Sequence, residues 1–173
     1  MKLSDGEKLI LVMLADIHEK LGAGGAIDPG FVKDAIVDDH TWGLHWKFTD
    51  IPFTEKKDPP EVKEVCEILQ MWSILEASYK GLSEHSKSLV QEGAGVKEVR
   101  FEGFDLNHEA AHYSVAKFLI TKLERFAEFK DHYLNSHSHS LSQHRSRLHR
   151  FDAAYDSRRG DLLTAAEIVK IIK

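Results

Sequence analysis

Apolar residues recur at spacings of three and four along most of the chain, and no segment sustains the period-two alternation of a half-buried strand. The pattern predicts helices. The first spans about Ser4 to Leu21, opened by Ser4 with Glu7 three positions on, a reciprocal capping pair. Ile10, Leu14, Ile17 and Leu21 form its apolar stripe, and Gly22 is placed to close it in the left-handed conformation. Asp28-Pro29 opens a second helix, a capping carboxylate followed by a residue whose missing N–H costs nothing there. That helix is expected to end near His40. The aromatic segment Trp42 to Phe53 follows as a short helix and a packed loop closed by Pro52.

Asp58-Pro59-Pro60 starts the fourth helix, expected from about Pro59 to Glu84. Val65, Ile68, Trp72, Leu75, Tyr79 and Leu82 step by three and four, and Val62, Cys66 and Leu69 widen that face. So broad a face predicts a central helix with several neighbours. Gln91 to Gly95 is expected to turn, and Val99 to Phe104 to be a short extended piece. A fifth helix is expected from Asp105 or Asn107 to about Phe129, with Ala116, Leu119, Leu123 and Phe126 as its stripe. A sixth, Ser140 to Tyr155, carries Leu141, Leu148, Phe151 and Tyr155. Thr164-Ala165-Ala166-Glu167 caps a short terminal helix. The expected fold is all-α, a single multihelical domain of about six to eight helices over residues 1–173.

Composition narrows the function classes. Lys+Arg 23 against Asp+Glu 28 gives a net charge of −5, which argues against a general nucleic-acid coat. The longest apolar run, Leu9 to Ala15, is far shorter than the roughly 20 residues of a membrane span. The single cysteine, Cys66, excludes an intramolecular disulfide and, with no secretory signal at the N-terminus, points to a reducing cytoplasmic setting. Cys66 lies on the apolar face of the fourth helix and is expected to be an inert buried thiol.

The one motif with catalytic wording is His108-Glu109-Ala110-Ala111-His112, an HExxH pattern. On a helix this spacing sets two imidazoles on one face for zinc, with the glutamate as base on a metal-bound water. The third ligand is missing from the expected places: Val115 and Phe118 stand where an extended motif has glycine and histidine. His108 and His112 nevertheless extend the core stripe of the fifth helix, and His144 and His137 do the same on the sixth. A site shared between helices would combine His108 and His112 with His137, His139 or His144. The favoured expectation is polar packing at a bundle end, with no metal and no other cofactor; zinc held by His108 and His112 is the lesser one.

Arg145, Arg147, Arg150, Arg158 and Arg159 against Asp152 and Asp156 give the stretch from Leu141 to Gly160 a net +3. A phosphate or nucleic-acid patch is one use of such a run, and a solvated face with local ion pairs is the commoner one. Trp42, Trp46, Phe48 and Phe53 are expected to be a core lid over the fourth helix rather than a ligand pocket.

Val99-Arg100-Phe101-Glu102-Gly103-Phe104-Asp105 followed by a helix resembles the YfbU family of small bacterial proteins. Lys8-Leu9-Ile10-Leu11, Trp42-Gly43-Leu44-His45-Trp46, the run Glu64 to Leu82 and the closing Leu163-Thr164-Ala165-Ala166-Glu167-Ile168 agree with it in order and spacing. The resemblance covers nearly the whole chain. It implies a multihelical fold and a cytoplasmic protein, and it supplies no established activity and no catalytic residues. The resulting expectation is a non-enzymatic ligand-binding or protein-interaction module that forms a homo-oligomer. A zinc-dependent hydrolase using residues 108–112 is the alternative, and a regulator touching nucleic acid through the late arginines is the weaker one. Helices one and four both carry more apolar surface than a single contact face needs, hence the expected oligomer.

Overall fold

In the computed structural model, which describes residues 2–54, 56–155 and 162–173, eight α-helices account for the regular structure among the described residues. They are α1 (Asp5–Leu21), α2 (Pro29–Val37), α3 (Gly43–Lys47), α4 (Pro60–Gly81), α5 (Glu84–Ala94), α6 (Ala110–Thr121), α7 (Leu141–Tyr155) and α8 (Ala165–Ile172). A single 3-10 turn, Ala127–Phe129, lies between α6 and α7. The all-α expectation holds. Among the described residues no helix is long and apolar enough to cross a membrane.

Helix α4 is the axis of the core. Val62, Val65, Ile68, Leu69, Met71, Trp72 and Leu75 are all buried, so the apolar residues cover about half of its circumference. α6, α7 and α8 pack against it, which consumes that wide face within one chain. Each such side chain contributes about 2–3 kcal/mol on leaving water. Helices α1 and α2 form a hairpin at one side. α2 reaches the core through Phe31 and Ala35.

Several start signals act as expected. Ser4 and Glu7 form the reciprocal cap of α1, Asp28 caps α2, and Thr164 with Glu167 caps α8. Gly22 ends α1 at φ +59°, in open space where only the backbone angle matters.

Two helix boundaries are corrected. The fourth helix does not reach Glu84. It stops at Gly81, Leu82 turns to an extended conformation, and Ser83 accepts the Ser86 N–H to start α5. α5 buries only Val90 of its apolar residues; it is held by α8, where Gly93 lets Val169 approach. The fifth helix neither starts at Asp105 nor runs to Phe129. It spans Ala110–Thr121, after which Glu124 and Phe126 at positive φ reverse the chain and insert Phe129 into the core.

On α1 the apolar stripe faces outward: Ile10, Leu14, Ile17 and Leu21 are all half exposed or more, as are Leu9 and Met13. The helix meets α2 with the opposite side, where Ala15 is its one buried residue.

Candidate functional site

The extended segment before α6 gathers the polar interior. Phe101 and Phe104 are buried, and Phe101 N–H donates to Glu76 Oε1 at 2.7 Å. Between them Gly103 sits at φ +85°, and a Cβ there would collide with the Leu134 carbonyl. That close approach lets Phe104 exchange backbone hydrogen bonds with Leu134 and Ser136. The Gly103 carbonyl accepts from His144 Nε2 at 2.9 Å and lies 3.0 Å from the Ser140 hydroxyl. His144 Nδ1 in turn accepts the Trp72 indole N–H at 3.0 Å. These two bonds define a neutral Nε2–H tautomer. Burial pushes the His144 pKa down to about 4.

Glu109, the residue the HExxH wording offers as a base, lies just before α6 and is buried. Its Oε1 accepts the N–H groups of Ser140 and Leu141, both at 2.8 Å. Its Oε2 accepts the Asp105 N–H at 2.9 Å and lies 2.8 Å from the Ser140 hydroxyl. Burial by itself would raise this carboxyl, but the donors from Leu141, Asp105 and Ser140 outweigh it and hold the group below its ordinary value. Glu109 thus satisfies the orphan N–H groups that begin α7, and it ties that helix to the segment before α6.

The two motif histidines serve different places. His112 is on α6, buried against Phe104, with Nε2 2.7 Å from Glu64 Oε2 on α4. Arg145 of α7 forks onto the same carboxylate at 2.6 and 2.9 Å. The Arg145 fork, reinforced by His112, holds the Glu64 carboxyl at about 2. The expected inward face for His112 is therefore observed, and its ring is engaged with α4. His108 precedes α6 and is exposed; its Nδ1 lies 2.6 Å from Asp105 Oδ2, and its ring lies 4.3 Å from that of His139. The spacing places two imidazoles on one face only where both residues are helical, and here the helix begins at Ala110.

Among the described residues one group offers three potential metal-ligating side chains: Asp105, His108 and His139, with one donor atom from each inside 4.8 Å. His137 is outside it, stacked on Tyr133, and His144 is enclosed with Trp72. His139 is one of the three histidines expected to join His108 and His112, whereas Asp105 is expected only at the start of a helix. Asp105 does accept the Asn107 N–H, through Oδ1, which leaves Oδ2 facing His108.

The late arginines are mostly used internally. Arg147 and Arg150 donate to the carbonyls of Ile172 and Ile171 at the end of α8, and Arg147 lies over the Trp72 ring. Arg158 and Arg159 lie outside the described residues. The aromatic group packs into the core: Trp42 lies edge-on to Phe118 of α6 and to Trp46, and Phe48 packs on Phe31 of α2. Burial pushes the Cys66 thiol up to about 11, as an inert thiol requires.

The segment that suggested a family is thus the segment on which the interior polar bonds converge. A family model, the YfbU domain, matches residues 1–173. The chain belongs to the YfbU family. In this YfbU domain the extended run 99–105 acts as the seat on which α6 and α7 are fastened: Gly103 receives α7, Phe101 receives α4, and Asp105 meets Glu109. Spacing does not reveal the role of Glu109, because Ser140 and Leu141, whose N–H groups it accepts, lie about 30 positions away at the start of α7.

Proposed function

We propose that this YfbU domain is a non-enzymatic protein-interaction module that acts as a homodimer formed through α1. The observation that carries the proposal is the exposed stripe Leu9, Ile10, Met13, Leu14, Ile17 and Leu21. At 100° per residue these six fall within one arc of the helix, opposite the side that meets α2. They present on the order of 600 Å² of contiguous apolar surface, at the upper limit of the patch that a monomer usually exposes.

A second copy suits the face for a reason of charge. Asp5 and Glu7 lie in the first turn of α1 and His18 and Lys20 in the last. An antiparallel twofold pairing sets the acidic end of one helix against the basic end of the other, so the surface is its own complement. The absence of catalytic chemistry in this reading rests on Glu109, whose two oxygens are occupied by four donors and are turned to α7 rather than to a substrate.

Sedimentation or light scattering at micromolar concentration tests the proposal. A mass twice that of the chain is expected, falling to the monomer in Leu14→Glu/Ile17→Glu with helicity retained, because neither side chain supports the core. A monomeric wild-type mass overturns self-association and assigns the stripe to a different protein.

A further inference from the structure

The remaining chemistry lies at the opposite end of Glu109. His108 directly precedes Glu109 and His139 directly precedes Ser140, so the bonds from Ser140 to the Glu109 carboxylate bring the two histidines side by side. Asp105 is anchored on the same carboxylate through its own N–H. We propose that Asp105, His108 and His139 form a binding site for a divalent transition-metal ion, zinc being the natural occupant, and that the metal pins the loop before α6 to the loop before α7.

The donor set is two imidazoles and one carboxylate, which suits zinc and its first-row neighbours and disfavours the hard ions magnesium and calcium. Asp105 is buried, and its Oδ1 is committed to the Asn107 N–H, so Oδ2 alone is directed at the histidines. The carboxylate is kept ionised by its hydrogen bond with His108 and by the Asn107 N–H. His139 forms no hydrogen bond among the described residues and is exposed, so its ring is free to turn onto an ion. Zinc ligands at 2.0–2.1 Å stand about 3.3 Å from each other in tetrahedral geometry. The donors here lie within 4.8 Å of one another, and both imidazoles are exposed, which leaves room for them to turn toward a common ion. Water completes the coordination from the solvent side.

This is a different site from the HExxH pairing. It keeps His108 and replaces His112, whose nitrogen is engaged with Glu64, by His139 from another loop.

The test uses tag-free protein stripped with a chelator and then titrated with zinc chloride by calorimetry, and with cobalt(II) chloride by visible absorption. One equivalent per chain is expected, with cobalt bands of a nitrogen- and oxygen-ligated site. His139→Ala and His108→Ala each weaken zinc roughly tenfold or more, as loss of a ligand should. His137→Ala, two residues away and stacked on Tyr133, leaves affinity unchanged. Because the histidines are exposed, both variants retain the fold, which circular dichroism verifies. Saturating zinc raises the melting temperature of the wild type and leaves that of His139→Ala unmoved. Several weak equivalents, or zinc binding equal in wild type and His139→Ala, overturns the site. Binding lost in His112→Gln and kept in His139→Ala overturns it in favour of the helical motif.

Discussion

Glu109 Oε1 receives the Ser140 N–H at 2.8 Å, across 31 positions of sequence. The bond gives a buried carboxylate and the start of a helix the same solution. An anion at a helix N-terminus is favoured by the dipole and by the unpaired N–H groups. Those N–H groups, otherwise buried without partners, need an acceptor. A residue placed in an enzyme-like pattern is therefore used to join α6 to α7.

Removal of this acceptor is expected to be costly. Glu109→Ala leaves the Asp105, Ser140 and Leu141 N–H groups without their partner, at a cost of about 3–5 kcal/mol. Glu109→Gln keeps one acceptor oxygen and should cost about half as much. Urea unfolding measures both. A glutamate held for catalysis instead of structure would show unchanged or increased stability in the two variants.

Gly103 and Gly22 separate two reasons for glycine. Both have positive φ, but a Cβ at Gly22 meets nothing, whereas at Gly103 it strikes the Leu134 backbone. Gly22→Ala is expected to cost about 1 kcal/mol, the usual penalty of the left-handed conformation. Gly103→Ala should cost more than about 4 kcal/mol or abolish folding, because the obstructing atom is a carbonyl that cannot rotate away. Comparable melting temperatures for the two variants would refute the seat described for residues 99–105.

Acid should weaken the fold in two steps. His144 has its pKa lowered to about 4 from 6.5 by burial. Above 6.5 neither state binds the proton. Below it the unfolded chain does and the folded one does not, so stability falls from pH 6.5 to about 4, by at most roughly 3 kcal/mol. Glu64, lowered to about 2 from 4.5 by Arg145 and His112, contributes stability above pH 4.5 that is lost as pH falls toward 2. Denaturant titrations at pH 7, 5.5 and 4.5 should show the first slope. In His144→Gln that slope should flatten; persistence of the full slope would place the titration on other groups.

The helical class, the caps at Ser4, Asp28 and Thr164 and the central rank of α4 were legible in the sequence, since each depends on residues within a few positions of one another, and the family was legible in the order of pieces along the whole chain. The local pattern failed where a tertiary partner made the decision. α5 has too few apolar residues to announce itself and is held by α8. α6 ends at Thr121 because Phe129 is drawn into the core through a reversal that no spacing predicts.

Periodicity by itself determined that α1 has an apolar stripe, and that histidines recur near the starts of two helices. Only the tertiary structure decided which side of α1 meets α2, leaving Ile10, Leu14, Ile17 and Leu21 to solvent. Only it decided that His112 turns to Glu64 while His108 turns to Asp105 and His139. The physical reason is the same in each case. Spacing sets the angle at which a side chain leaves its own helix, whereas the partner it meets is set by where distant segments pack; for the histidines, Glu109 and Gly103 join those segments.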